Sequence, residues 1–404
     1  MEKVLILNAS HNDERMIRAL KEMNLYVIST GNRPNLPGHK MCDEYYPADY
    51  SDKEAILELA KKLKIDRICS CCNDFGVITS AYVAEKLHLP GHDSYQTTRL
   101  LHNKDLFKAF AKEHGIDTPP AEQFLNADDA KHYARSAQYP IIVKAVDLSA
   151  GNGILRAETV EEANGAIDNA FASSRCKRII IEPFITGSQH GLCTFLIDKK
   201  VAAYCSNDEY SVINPYRVEI DTFPATDEEY TAAYLIKQVE KIADLLDLTD
   251  GCFHLQYITD EGKHPHIIEC MRRIPGGLYT IPGESVSGIN WDYWEAKARC
   301  TDSIRDFPQL GHSNRGFFSY KCIMADKNGF IENIHLSSEL MCHRYGEWWL
   351  CGKGSKIDNH MSTPIGFIFG SFASQEEMRR ILIEDYQSSF VEMRTEDSRE
   401  GLEK

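Results

Sequence analysis

The stretch GCFHLQYITDEGKHPHIIECMRRIPGG, residues 251–277, decides how this chain is read. Two apolar runs flank Thr259 to Lys263, a segment of turn formers, and the pattern predicts a β-hairpin. With a loop of Glu261 to His264, Gln256 and Glu269 stand opposite each other on one face. Glu269 lies inside the apolar run HIIEC (266–270), where burying a carboxylate is costly without a cation. Carbonyl and carboxylate oxygens facing one point suit Mg²⁺, which takes hard oxygen ligands and shares them with phosphates. Arg272 and Arg273 follow directly, and one of them projects to the same face.

Three upstream segments carry matching chemistry. HNKDLFKAF (102–110) places Lys104 at a helix. YPIIVKAVDLSAGNGI (139–154) is an apolar strand ending in Lys144, followed by a loop with Ser149, Gly151, Asn152 and Gly153. A strand-borne lysine is a point charge suited to phosphate, and small residues let backbone N–H groups close over phosphate oxygens. Taken alone, Lys144 also fits a snorkelling surface lysine. IIIEPFITGSQHGLCTFL (179–196) runs to Glu182, bends at Pro183 and continues through Ile185 and a Thr-Gly turn to Gln189. Its carboxylate suits an adenine amino group; taken alone it also fits a solvated strand end.

In this order the four segments resemble the ATP-grasp superfamily, carboxylate–amine ligase type, over roughly residues 1–300. The resemblance implies that Lys104 and Lys144 contact ATP phosphates and that loop 148–154 folds over them. It implies a hinge at Glu182, Pro183 and Ile185 holding adenine. Gln256 and Glu269 match the metal-bridging positions, and Arg273 matches the catalytic arginine near the γ-phosphate and acyl phosphate. The implied cofactors are ATP and Mg²⁺, with Mn²⁺ able to substitute. Three positions depart from the family. Gln256 stands where glutamate is usual. E-x-N-x-R reads Glu269-Cys-Met271-Arg-Arg273, without the asparagine ligand. G-x-E, whose acid holds ribose, reads Gly187-Ser-Gln189.

Around these segments, residues 1–95 alternate strand and helix, as in a small parallel sheet covered by helices. Strands are expected at 4–7, 25–29 and 65–70, and helices at 12–24, from Asp52, and at 75–87. The first strand is followed by NASHND (8–13), not by a GxGxxG turn, which counts against a dinucleotide-dependent oxidoreductase. One helix is expected over Thr97 to His114, and a capping box of Thr226 and Glu229 is expected to open a long amphipathic helix. The fold class is therefore α/β, with α+β ATP-grasp lobes after an N-terminal Rossmann-like domain. The expected divisions are 1–95, 96–305, a mainly β domain at 306–392, and a loose tail at 393–404.

The bulk properties agree. Hydrophobic residues make up 43% and charged residues 26%, ordinary for a globular protein. A net charge of −15 disfavours a nucleic-acid backbone as partner, while a local lysine cluster still binds phosphate. Thirteen scattered cysteines fit a reducing compartment; Cys69 and Cys72 form a CxxC with no second pair to complete a zinc site. No signal segment or membrane-length apolar run is apparent, so a cytoplasmic location is expected.

The function expected is an ATP-dependent ligase that activates a carboxylate as an acyl phosphate and joins it to an amine, on an amino acid or peptide-like substrate. The alternative is a non-catalytic or regulatory ATP-binding protein of the same fold, in line with Met271 and Gln189. A bicarbonate-using carboxylase lacks a biotin-carrier segment here. Expected partners are a small carboxylate and an amine, with neither nucleic acid nor membrane; a homodimer is left open. Candidate substrate contacts are Asp74, Arg272, Gly276, Gly277 and, from the third domain, Arg315.

Overall fold

The structure is a computed structural model that describes residues 1–148, 151–308 and 316–394. The chain begins with β1 (Lys3–Leu7), α1 (Glu14–Glu22), β2 (Tyr26–Gly31), β3 (Glu44–Pro47), α2 (Lys53–Leu63), β4 (Arg67–Cys69) and α3 (Asp74–Leu87). Its four strands form a parallel sheet of order β3-β2-β1-β4. All four are short, and β1, β2 and β4 are almost wholly buried, as helices packed on the sheet require. Asp52 caps α2 through the backbone N–H groups of Glu54 and Ala55, as the sequence suggests.

Two short helices follow, α4 (Tyr95–His102) and α5 (Lys104–His114). The single helix expected over 97–114 is thus broken at Asn103, whose backbone is extended (φ −108°, ψ 117°). The Lys104 N–H leaves the helical ladder for the carbonyl of Val146 at 3.2 Å. That break sets Lys104 at the first turn of α5, beside the strand that carries Lys144.

A small lobe comes next: β5 (Glu122–Phe124), α6 (Ala127–Ala134), β6 (Ile141–Ala145), β7 (Ile154–Ala157), α7 (Val160–Ser173) and β8 (Ile179–Pro183). Its antiparallel sheet has the order β5-β8-β6-β7 and packs on α6 and α7 through Ile141, Val143, Ile167, Ile179 and Ile181.

The larger lobe holds β9 (Gly187–Ile197), β10 (Lys200–Tyr210), β11 (Ile220–Phe223), α8 (Glu228–Leu246), β12 (Gly251–Asp260), β13 (Pro265–Met271), α9 (Thr280–Ser287) and α10 (Trp291–Cys300). The strands after residue 308 are β14 (Phe317–Ile323), β15 (Gly329–His335), β16 (Arg344–Trp349), β17 (Lys356–Ile357), β18 (Gly366–Phe372) and β19 (Phe390–Arg394). Eight of these strands make one sheet of order β13-β12-β9-β10-β11-β14-β18-β16. The sheet therefore runs through the boundary expected at 305, and only β17-β15-β19 form a sheet of their own.

One face of the eight-stranded sheet packs on α8 through Leu192, Leu196, Leu235, Val239, Ile242 and Phe253. Each such fully buried aliphatic side chain contributes roughly 1.5–3 kcal/mol. The other face meets α1, α9 and α10 through Phe195, Phe223, Trp291 and Tyr279. The expected capping box at the start of α8 does not form. Asp227 holds the N-cap position, and the Thr226 hydroxyl donates instead to Asp208 at 3.1 Å. No helix among the described residues is long and apolar enough to cross a membrane.

Candidate functional site

The hairpin of β12 and β13 forms with the loop 261–264 the sequence suggests, and Gln256 pairs in register with Glu269. Gln256 also lies opposite Gly191 on β9, and Gly191 opposite Asn207 on β10. Strand alternation then puts Glu269, Gln256, His254, Asn207 and Glu209 on one face. A Cβ at Gly191 would lie 2.4 Å from Asn207 Oδ1 and 3.1 Å from Glu209 Oε1. Only glycine leaves room there for the polar groups of neighbouring strands to converge.

Lys104 reaches this face from α5. Its Nζ lies 3.1 Å from Glu269 Oε2 and donates to the carbonyl of Leu148 at 2.8 Å. Burial pulls the Lys104 ammonium down, but the Glu269 carboxylate outweighs it and holds the lysine charged. A cavity of about 70 Å³ adjoins this pair, lined also by Asp74, Phe75, His102 and Asp147.

Lys144 ends the central part of β6, and its Nζ donates to Glu182 Oε2 at 2.7 Å. Lys108 approaches the other oxygen of Glu182, Oε1, at 3.2 Å. Burial pushes the Glu182 carboxyl up, but the Lys108 and Lys144 ammoniums more than offset it and hold it below the usual range. Burial brings Lys108 itself down to about 8. The Glu182 side chain thus points inward, 1% exposed, with two lysines on it, which departs from the expected contact with an adenine amino group. Pro183 is exposed, and Ile185 follows it into the turn before β9.

Arg273 donates through Nε and Nη2 to both oxygens of Asp74, at 2.8 and 3.0 Å. Burial acts to raise Asp74, but the guanidinium and a hydrogen bond from His102 hold it well below the usual carboxylate range. His102 Nε2 accepts the Arg272 N–H at 3.1 Å, so its proton sits on Nδ1, 3.2 Å from Asp74. Arg272 turns elsewhere. Its guanidinium donates to Asp93 at 2.7 Å and to the carbonyls of Cys252 at 2.6 Å and Thr249 at 2.8 Å. It is spent inside the protein and leaves the candidate substrate set.

Met271 faces His254 in register, on the same face as Glu269 and 8% exposed. A thioether there offers no hard ligand for Mg²⁺. Gln189 is exposed on β9, opposite Glu209. Gly151, Asn152 and Gly153 lie in the connection from β6 to β7, where the Gly153 carbonyl accepts the Ala145 N–H at 2.9 Å. Gly276 and Gly277 form the turn after Arg273; Gly277 has φ +71° and a Cβ on it would sit 3.0 Å from the Tyr320 hydroxyl. Ser149 and Arg315 lie outside the described residues.

Glu209 is absent from the expected set. Gln256 Nε2 donates to both its oxygens, at 2.8 and 2.7 Å. Burial, reinforced by the Glu269 charge, pushes Glu209 up to about 7. A donor set of Gln256 oxygen, Glu269 and Glu209 is all hard oxygen, and it fits a divalent cation of the Mg²⁺ kind. The polar run SNDE (206–209) inside an otherwise apolar strand is the signal that could have found Glu209. For Lys108 it is the i,i+4 spacing from Lys104.

Residues 102–215 match the family described as phosphoribosylglycinamide synthetase, ATP-grasp (A) domain. A phosphoribosylamine–glycine ligase of Ralstonia nicotianae is 37% identical over 112 residues, 27% of this chain and 26% of that protein. The chain thus aligns with about a quarter of that relative's length. Among solved structures, an L-amino acid ligase from Bacillus licheniformis superposes with a TM-score of 0.81 at 20% identity, covering 98% of this chain and 99% of that one. The biotin carboxylase domain of the Hydrogenobacter thermophilus 2-oxoglutarate carboxylase, with MgADP and bicarbonate, gives 0.75 at 20% identity, covering 97% and 91%. At such identities the likeness is one of fold.

Proposed function

We propose that this chain, a member of the ATP-grasp superfamily, is an ATP-dependent ligase that phosphorylates a carboxylate and passes the acyl group to an amine. The substrate class is an amino acid or a peptide-like acid. One observation carries the reading: Lys104 of α5 pairs with Glu269 of the β12–β13 hairpin, Gln256 stands in register with Glu269, Asp74 of α3 holds Arg273 just past the hairpin, and Lys104, Glu269 and Asp74 line one cavity. The names of the relatives, a glycine ligase and an L-amino acid ligase, point the same way.

In this reading Lys104 and Lys144 bind the phosphates as point charges. Gln256 and Glu269 would hold Mg²⁺, with Glu209 completing the oxygen set; the ion supplies charge neutralisation at the phosphates. Arg273, whose plane is fixed by Asp74, faces the charge that develops on the transferring phosphoryl group. A substrate carboxylate oxygen attacks the γ-phosphorus; the bond to the bridging oxygen breaks and ADP leaves. The amine nitrogen then attacks the acyl carbon, the bond to phosphate breaks, and the nitrogen gives up its proton. The connection from β6 to β7 that carries Gly151, Asn152 and Gly153 would help keep water from the acyl phosphate. Pro183, Ile185 and Gln189 line the nucleotide end.

Met271 favours a second reading, a nucleotide-binding protein without turnover, because it removes a side-chain ligand for a second cation. Hydroxylamine separates the two, since it traps an acyl phosphate as a hydroxamate. ATP-dependent hydroxamate with an amino acid, lost in Arg273→Met, is the expected result. ATP binding with no hydroxamate from any amino acid, dipeptide or small carboxylate would favour the non-catalytic reading.

A further inference from the structure

The cavity beside Lys104 and Glu269 has one polar end and an apolar wall. Phe75 and Ile78 of α3, Leu148 after β6 and Ile268 of β13 line that wall. Phe75 and Ile78 stand three positions apart, which puts both on one helix face. All four are half-buried, and none packs into an apolar core of the described residues. Apolar side chains gathered round a cavity instead of a core are the ordinary lining of a small-molecule pocket. The Arg175 guanidinium lies 4.1 Å over the Phe75 ring and fixes that side of the wall.

The polar side chains along the rest of the lining are already taken. Asp74 accepts from Arg273 with both oxygens. His102 stands between Asp74 and the Arg272 N–H. Asn103 Nδ2 donates to the Arg99 carbonyl at 2.9 Å. Asp147 accepts from the Ser174 hydroxyl and the Cys176 N–H, both at 2.9 Å. That leaves Lys104 and Glu269, the pair at the phosphoryl-transfer position, to form the polar end. A polar or charged side chain entering the rest of the cavity would lose its water and find few partners in return.

We infer that Phe75, Ile78, Leu148 and Ile268 set the specificity for the carboxylate donor, and that its side chain is aliphatic. The inference rests on the ligase reading and names the acid substrate more closely. With the carboxylate at Lys104, the chain on its α-carbon extends along the apolar wall. The cavity, about 70 Å³, has near half the volume that accepts benzene, so about three carbon atoms fit. A valine-sized amino acid meets both requirements: a carboxylate for the polar end and three apolar carbons for the wall.

Calorimetric binding of amino acids to the protein with Mg²⁺ and ADP tests this and needs no turnover. Across glycine, alanine and valine, affinity is expected to rise roughly fourfold for each carbon added, and so roughly 60-fold over the series. Aspartate is expected to bind more weakly than alanine, because its side-chain carboxylate gives up water without a partner. Ile78→Phe fills the cavity and is expected to reverse the order of alanine and valine, a reversal that only a folded protein can show. Ile268→Ala enlarges the cavity and is expected to favour leucine over valine.

Equal affinity across the series, tightest binding by aspartate, or no amino acid binding at all would overturn the inference. So would an order of alanine and valine that Ile78→Phe leaves unchanged. Graded binding with no hydroxamate from valine would remove the ligase chemistry and leave the pocket standing. Hydroxamate formed from glycine, valine and aspartate with one common KM would keep the ligase and remove the pocket.

Discussion

Arg273 and Asp74, 199 positions apart in the chain, form a two-point ion pair at 2.8 and 3.0 Å that ties the end of β13 to the start of α3. The pair joins the N-terminal parallel sheet to the lobe that carries the candidate metal residues, and it fixes the plane of the guanidinium. Asp74 acts on the reaction through Arg273, which makes it a positioning residue. Asp74→Asn is expected to lower kcat by roughly 10- to 100-fold with ATP affinity little changed. Arg273→Lys should not rescue function, because an ammonium cannot meet both oxygens in one plane. A loss confined to the KM for ATP would contradict this role.

Glu182 holds Lys144 at 2.7 Å and Lys108 at 3.2 Å in a fully buried triad. Glu182→Gln leaves two buried ammoniums without their countercharge. The expected cost is about 3–5 kcal/mol in urea unfolding, the range for breaking a buried pair from one side. A loss under about 1 kcal/mol would mean that water reaches the lysines.

Gln256 stands between Glu209 and Glu269 where a third carboxylate would crowd the other two. Gln256→Glu is therefore expected to lower Tm by roughly 1 °C without divalent cation, a like-charge penalty of about 1 kcal/mol. Added Mg²⁺ should restore most of that loss. Thermal scans with and without Mg²⁺ check it, and a variant insensitive to the ion would remove Gln256 from the metal set.

Asp93 anchors Arg272, and its acidity gives a pH prediction. Burial pushes its carboxyl up, but the Arg272 and Arg299 guanidiniums outweigh that and hold it at about 2, against an ordinary value of 3.8. A carboxyl depressed in the folded state contributes stability that is fully present above its unfolded pKa and lost as pH falls through its folded one. The window is therefore about pH 4 down to 2, and the contribution about 2 kcal/mol. Asp93→Asn should flatten the stability–pH curve in that window, measured by denaturation at each pH.

The parts of the site that local pattern fixes were legible in the sequence. Turn formers and alternation placed Gln256 opposite Glu269, and the strand-plus-glycine pattern placed Lys144. What depends on distant pairing was not. Glu209 sits on a strand whose neighbours are set by the order β9-β10-β11-β14, which no local signal encodes. Of the adjacent Arg272 and Arg273, strand alternation alone left open which one projects to the site, and only the family resemblance pointed to Arg273. Asp93 and the carbonyls of Thr249 and Cys252 take Arg272, and Arg273 is left for Asp74. The helix over 97–114 read as continuous because its apolar periodicity survives the break at Asn103, where a backbone bond to Val146 overrides it. The C-terminal strands looked like a separate domain because register across sheets lies beyond any sequence window.

The most direct measurement is ADP release from Mg²⁺–ATP across a matrix of amino acids, dipeptides and small carboxylates, each with and without an amine acceptor. The expected result is release that requires both a carboxylate and an amine, with phosphate formed in equal amount and Glu269→Ala inactive. Tight ATP binding with no release under any pairing, or full turnover in Glu269→Ala, would contradict a ligase built on this site.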